Sequence, residues 1–301
     1  MRQAAFLILK LVVSATLLGF FIYKIGVATI ISTLSSMHTW HFIVALASIA
    51  ANIFIGAINI NILLNSIDKK VPFWKLQRYY LTSWSVGLFV PGKIGEFSII
   101  HYLKKYGTSI SEGIVVSLAD KGITFVVLVF LSLAGIYAYS SQTVLIAVIL
   151  SSILFSMLAI VFFVTERGRN FIKSRILGKK SKTFKGFAKA IKKIFSKPEF
   201  IALNTSLTLF KWMITVVSFY FILLSFGENI PFIWVASIYS ATIIISLIPI
   251  SLSGLGVKEG AAYFLFEAAG INATTAISIY LIFTLLGYAI AICAIALAPK
   301  D

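Results

Sequence analysis

Lys93 and Glu96 stand three residues apart in the stretch Val90-Pro91-Gly92-Lys93-Ile94-Gly95-Glu96-Phe97, directly after an apolar run. A second pair, Lys258-Glu259, follows Pro249 and the turn Ser251-Leu252-Ser253-Gly254-Leu255-Gly256, and leads into Gly260. A charged side chain at the centre of a membrane span costs about 2.5–3.5 kcal/mol on insertion scales, and Pro and Gly interrupt helices. Charge placed at a helix break is the chemistry of ion recognition. Lysines can bind phosphate oxygens; carboxylates can balance them, bind an amine or carry a proton.

Each break reads in the same way. Pro91 ends an incoming arm, because it has no N–H and clashes with the preceding turn. Gly92 lets the backbone turn tightly. The outgoing half-helix is expected to start near Lys93, with its unpaired N–H groups forming an anion site. Glu96 in that first turn suits the helix dipole, by about 0.3–1 kcal/mol. Lys93 opposes it, which implies an anion nearby: either Glu96 itself or a ligand. In the second break Pro249 stops the arm, Ser251, Ser253, Gly254 and Gly256 make a polar, flexible turn, and Lys258 and Glu259 open the next half-helix. Gly95 and Gly260 belong to the same two breaks. The alternative reading is two structural lysine–glutamate pairs that neutralise each other.

Other polar groups lie inside apolar runs. Asp120 and Lys121 sit in segment 113–137, and Lys211 about ten residues into segment 201–226. Lys211 is expected to face the interior and to meet a carboxylate, with Asp120 one choice, or a ligand anion. Asn52, Gly56 and Asn59 share one face of segment 40–64. Lys10, nearer an end, is expected to snorkel. His38 and His41 beside Trp40 read as interfacial belt residues, and His101 could meet a headgroup. With no Ser-His-Asp set, metal cluster or nucleotide fingerprint, neither enzymatic chemistry nor a cofactor or metal is expected.

The elements that must position these residues are membrane helices. Of 301 residues, 59% are hydrophobic, and mean hydropathy is +1.00. Apolar segments fall at about 4–25, 40–64, 79–90, 97–103, 113–137, 143–164, 201–226, 232–248, 260–269 and 273–298. Six are long enough to span a ~30 Å hydrocarbon core. The first is read as a retained helix rather than a signal peptide. The other four are short and form two pairs, each joined by one of the charged breaks. Cys293 is the one cysteine, so no internal disulfide is expected.

Charge bias sets the topology. Segment 165–199 holds twelve Lys or Arg against two Glu and is placed in the cytoplasm. Loop 27–39, without Lys or Arg, is placed outside; loop 65–78, with Lys69, Lys70, Lys75 and Arg78, inside; Lys104 and Lys105 also inside. The pair 79–103 therefore starts and ends on one side, as a re-entrant hairpin. The pair 232–269 does the same from the other face. The predicted fold is an all-α polytopic membrane protein of two inverted repeats, each of three transmembrane helices plus one re-entrant broken-helix hairpin. Repeat one is 1–138 and repeat two 139–301, together a single transmembrane domain with both termini cytoplasmic. The two break tips should then meet near the midplane, as in transporters built from inverted repeats. Eight or more ordinary spans are the alternative.

The net charge of +16 is concentrated in segment 165–199, which argues for anionic lipid headgroups and against nucleic acid. Phe184, Phe187, Ile191, Ile194 and Phe195 fall at helical spacing there, among Lys182, Lys185, Lys189, Lys192 and Lys193. That pattern predicts a basic amphipathic helix lying on the membrane surface.

With these motifs the chain resembles the flippase-like membrane region of lysylphosphatidylglycerol synthases and its stand-alone relatives. The likeness rests on Pro91-Gly92-Lys93-Ile94-Gly95-Glu96 and on Gly254-Leu255-Gly256-Val257-Lys258-Glu259-Gly260, and extends over the order of segments. Asp120 and Lys121 fit the family's acid–base pair, with Thr124 where a further aspartate is common. The resemblance implies translocation of an anionic, aminoacylated or polyprenyl-linked lipid in the cell membrane. No synthase domain is recognised, so aminoacyl transfer is not expected. The expected function is thus a lipid flippase-like transporter using Lys93, Glu96, Asp120, Lys121, Lys211, Lys258 and Glu259. The alternative is a non-transporting scaffold, or a lipid-presenting partner of a lipid-modifying or glycosyl-transfer enzyme. Membrane lipids are the expected partners, with a homo-oligomer or such an enzyme as further ones.

Overall fold

A computed structural model describes residues 12–14, 16, 19–20, 22–23, 26–139, 186–247, 251 and 253–298. Among the described residues every regular element is helical. In chain order these are α1 (Val27–Ser36), α2 (Thr39–Ser66) and α3 (Phe73–Phe89). A 3₁₀ stretch over Pro91–Ser98 follows, then α4 (Ile99–Leu103) and α5 (Ile110–Tyr139). The remainder comprises α6 (Phe187–Phe195), α7 (Pro198–Ser225), α8 (Phe232–Ser246), α9 (Val257–Ala268) and α10 (Ala273–Ala296). The expected spans 4–25 and 143–164 lie largely or wholly outside the described residues, as do Lys10 and Pro249.

Helices α2, α5, α7 and α10 are long and apolar enough to cross a bilayer. Their ends carry local stop and start signals. Ser109 and Glu112 form reciprocal bonds at the start of α5: the Ser109 N–H donates to the Glu112 carboxylate, and the Glu112 N–H to the Ser109 hydroxyl. Pro198 opens α7, where a missing N–H costs nothing. The Asn272 side chain accepts from the N–H groups of Thr274 and Thr275 to cap α10. By contrast α3 has 17 residues, α8 15 and α9 12. At 1.5 Å per residue they reach about 25, 22 and 18 Å, short of a ~30 Å core.

Two of the long helices, α2 and α7, run antiparallel side by side. His41, Asn52 and Asn59 of α2 bond in turn to Ser225, Thr215 and Thr208 of α7, at 2.6, 3.3 and 2.8 Å. The Asn204 amide adds a bond to the Asn59 carbonyl. As one residue number rises the other falls, so Asn52 and Asn59 of the face predicted on 40–64 belong to an interhelical ladder, while Gly56 lies against Tyr80 of α3. Such bonds average about 0.6 kcal/mol each in a membrane protein. Around this axis α5 packs on α8, and α3 on α10. Gly135 of α5 lies flush against Ser237 and the Ile233 carbonyl, and the Ser237 hydroxyl donates to the Ser132 carbonyl. An aromatic core of Phe219, Tyr239, Phe266, Tyr280 and Phe283 ties α7 to α10 together. Large apolar side chains such as Val126, Phe130, Phe210, Phe221, Leu285 and Ile292 point outward, as lipid-facing residues do.

Two expectations change. Residues 27–39 are not a loop: Val27–Ser36 is helical. Ile30 packs on Ile277 and Leu281 of α10. The hydroxyls of Ser32, Thr33 and Ser36 bond back to carbonyls three or four residues earlier, which hides their polarity. The basic stripe also has a different setting. Phe187, Ala190 and Ile194 of α6 are buried against α2 and α5, so internal packing accounts for most of the stripe, and Phe195 alone of its described large side chains is exposed. Phe184, Lys182 and Lys185 lie outside the described residues.

Polar contacts lock α6 in place. The Lys193 ammonium donates to the Ile67 carbonyl at 3.0 Å and pairs with Asp68 at 2.6 Å; Lys197 reaches the other Asp68 oxygen at 2.8 Å. Those two lysines, Lys193 first, hold the exposed Asp68 carboxyl down to about 2. Lys69 donates to the Gly107 carbonyl and pairs with Glu112, joining the same corner to the start of α5.

Candidate functional site

The first break is more distorted than a simple turn into a helix. Gly92 and Lys93 both take left-handed backbone angles, with φ of 64° and 56°. Regular α-helix resumes only at Ile99, and α4 is five residues long. The outgoing helix therefore opens just after Lys93, as a 3₁₀ stretch that passes into α4, rather than as a regular α-helix. Two consecutive left-handed residues reverse the chain, and a backbone so turned cannot continue the i to i+4 bonding pattern. Gly95 is fixed by close approach: a Cβ there would lie 2.6 Å from the Val86 carbonyl oxygen of α3. Gly87, on the facing turn of α3, is its counterpart, since a Cβ would lie 2.5 Å from Glu96 Cγ.

The second break follows the sequence more closely. Ser253 and Gly254 are again a left-handed pair, with φ of 47° and 80°. A Cβ on Gly254 would overlap Ser246 at the end of α8. Helix α9 begins at Val257, so Lys258 and Glu259 do open it. Glu259 is fully buried; one carboxylate oxygen accepts from the Gly256 N–H at 2.8 Å, the other from the Thr284 hydroxyl at 3.0 Å. Lys258 in turn donates to Thr284 at 2.9 Å and lies 3.5 Å from Glu259. Gly260 sits one turn inside the helix, buried, rather than in the break itself.

The two lysines meet. Lys93 and Lys258 line one cavity of about 140 Å³, walled by Trp84, Trp212, Tyr239 and Tyr288, with Asn52, Thr215 and Ser253 among its polar groups. The ammonium groups act on one another electrostatically. Among the described residues Lys93 makes neither a side-chain hydrogen bond nor an ion pair. The Trp212 indole N–H and the Ser253 hydroxyl are buried without a partner among the described residues. The cavity therefore offers the unpartnered Lys93 ammonium, a Lys258 shared with Glu259 and Thr284, and unmet donors.

Glu96, one of the two anions considered for Lys93, is engaged by another lysine. Glu96 turns away and pairs with Lys121, which also lies 3.1 Å from Asp120. Glu96 and Lys121 line a second, smaller cavity with Tyr80, Ser83 and Ser117. Asp120 has no exposed surface. Lys211, the fourteenth of 28 residues in α7, is buried and within electrostatic reach of Asp120, Lys121, Glu96 and Lys93, yet it forms no ion pair among the described residues. Of the seven charged residues singled out in the sequence, Lys93 and Lys258 line the first cavity and Glu96 and Lys121 the second, while Asp120, Lys211 and Glu259 are buried beside them.

Trp84, Trp212, Tyr288 and Thr284 were not anticipated. Tyr280, Thr284 and Tyr288 recur every four residues and share one face of α10, a signal present in the sequence. Trp84 and Tyr80 share a face of α3 in the same way. Which of these faces meets a break depends on tertiary packing, which periodicity does not specify.

Among the described residues, four helices of membrane-spanning length and a pair of breaks define a multi-pass helical membrane protein with a buried polar site. The family model of the lysylphosphatidylglycerol synthase TM region matches residues 7–295. The chain belongs to that family. It is also similar to the UPF0104 membrane protein PH1989 of Pyrococcus horikoshii, at 21% identity over 93% of this chain and 92% of that one. The UPF0104 membrane protein MJ1078 of Methanocaldococcus jannaschii is 27% identical over 67% of this chain and 88% of that protein.

Proposed function

We propose that the protein is a lipid flippase-like transporter of the cell membrane, and that the cavity between Lys93 and Lys258 receives an anionic lipid headgroup. The observation that carries this reading is the pairing of two break lysines on one cavity whose nearest carboxylates are occupied. Glu96 is held by Lys121, which leaves Lys93 without a carboxylate; Glu259 bonds to Gly256 and Thr284 and meets Lys258 at 3.5 Å. A phosphate can bridge two ammonium groups and accept from an indole N–H. The ammonium of an aminoacylated headgroup would meet like charge. The cargo is therefore an anionic phospholipid or polyprenyl phosphate rather than an aminoacylated lipid, its chains remaining in the bilayer while the headgroup crosses.

The architecture proposed for translocation is two inverted repeats, 1–138 and 139–301, in one transmembrane domain with both termini cytoplasmic. The short arms of each break would form re-entrant hairpins. The antiparallel ladder between α2 and α7 supports this, because equivalent spans of two inverted halves run in opposite directions. So does the exchange in which each hairpin's first arm, α3 or α8, packs on the last span of the other half.

The test is reconstitution in phosphatidylcholine vesicles carrying fluorescent phosphatidylglycerol, with inner and outer leaflets distinguished by a membrane-impermeant quencher. Exchange between leaflets should be fast with the native protein and fall to the protein-free rate with a folded Lys93→Ala/Lys258→Ala variant. A fluorescent lysyl ester of the same lipid should exchange more slowly than the parent. Undiminished exchange in the double variant would refute the assignment.

A further inference from the structure

The second compartment is separated from the lysine cavity by Trp84, which lines both. At about 10 Å³ it has room for about one water-sized particle. Beside it Asp120 is wholly buried, with one carboxylate oxygen 3.1 Å from the Lys121 ammonium and the other without any partner among the described residues. The hydroxyls of Ser117 and Thr124, three residues before and four after on the same face of α5, are likewise buried and unpartnered. We propose that Asp120 is a proton site whose occupancy is linked to the anion in the Lys93–Lys258 cavity.

The charges around Asp120 define the sign of the link. From α5 it meets Lys121, from the first break Glu96, and from α7 Lys211. Tyr80 of α3 faces the same cluster, and Lys93 lies beyond Glu96. Helix α2 contributes uncharged Ile60 to this compartment; its His41 is held far away by Ser225. Helix α8 carries no charged residue. Two carboxylates share one ammonium, and that tethered cation already sits where a metal ion would bind. The exchangeable charge that still fits is a proton, which binds the free oxygen of Asp120 and turns it from an acceptor into a donor. The compartment then gains one positive charge within reach of Lys93. The anion binds more tightly, and by reciprocity the bound anion favours the proton. Anion and proton thus bind together and leave together.

The experiment reads the carboxyl group directly and needs no transport. Difference infrared spectroscopy on the full chain in phosphatidylcholine vesicles should show a protonated-carboxyl band on acidification that is absent in Asp120→Asn. Should that variant not fold, Asp120→Glu, which keeps the acid, should move the band. When phosphatidylglycerol is added to the vesicles, the band's midpoint should shift to higher pH. The shift should exceed that of Lys93→Ala/Lys258→Ala in the same vesicles, which corrects for surface potential. A spectrum without a band assignable to Asp120, or a midpoint shift equal in native and double-variant proteins, would overturn the proposal. Because neither readout requires lipid to cross the bilayer, failure of the translocation reading would be seen separately, in the exchange assay.

Discussion

Lys93 keeps a left-handed backbone without being glycine, which costs on the order of 1–3 kcal/mol at such sites. A residue is held this way only where its side chain has a use or its neighbours force it. Both conditions apply here, since Gly95 locks the break against α3 and the Lys93 side chain reaches the cavity. Replacing Lys93 with Gly separates the two. Lys93→Gly should leave thermal stability equal to or up to about 1 kcal/mol above the native value, because glycine relaxes the strained angle, while phosphatidylglycerol exchange falls. A stability loss together with unchanged exchange would place the value of this lysine in packing instead. At this scale the sequence was informative about which residues matter. Pro91-Gly92 and Gly254 announced the breaks, and lysine in an apolar setting announced ion chemistry. Pairing was not legible: that Glu96 would choose Lys121 over Lys93 follows from two left-handed residues turning the chain, which residue spacing cannot express.

Helix α6 illustrates what periodicity can and cannot say about an element. The spacing of Phe187, Ile191 and Ile194 foretold an amphipathic helix, and one is present. The identity of the surface it covers was not encoded in the spacing, because lipid and protein are equally apolar partners. The buried Phe187, Ala190 and Ile194 face α2 and α5, and Asp68 fastens the helix through Lys193 and Lys197. The Asp68 carboxyl is depressed to about 2 by those lysines. A depressed carboxylate stabilises the folded contact above its unfolded value, near 3.9, and that contribution disappears as pH falls through the folded value. The docking of α6 should therefore loosen between about pH 4 and pH 2. In a Cys293→Ser background, a cysteine introduced at Ala190 should become more open in that window to a pyridyl disulfide, which still reacts with thiols in acid, with labelling read by mass spectrometry, and Asp68→Asn should be as open at neutral pH as the native chain is in acid. The contact is exposed to solvent and salt-screened, so high salt should act in the same direction. Similar reasoning applies to α1, read as a loop because it falls between two apolar segments: Ser and Thr there satisfy their own hydroxyls within the helix, and Ile30 finds a partner in α10.

For the molecule as a whole, long apolar runs and charge bias sufficed to foresee an all-helical membrane protein, its four described long helices and the two broken pairs between them. They sufficed because burial in lipid forces each backbone to satisfy itself within helices, so segment length and hydropathy carry structural information directly. The arrangement of helices about one another was less accessible. The α2–α7 ladder depends on Asn52, Asn59, Thr208 and Thr215 facing each other across the interface, a relation between distant segments. The same holds for the division of charge into a lysine cavity and a Glu96–Lys121–Asp120 compartment, with Trp84 shared by both.

The central claim is that the two breaks jointly hold an anionic headgroup. It is tested most directly by photolabelling with a phosphatidic acid analogue whose reactive group is on the phosphate, followed by mapping of the adducts. The account predicts adducts on residues of both breaks and their cavity walls, including Trp84 or Trp212, and their loss when excess unlabelled phosphatidic acid competes. Adducts confined to the outer apolar surface or to the lysines of α6, with none at either break, would contradict it.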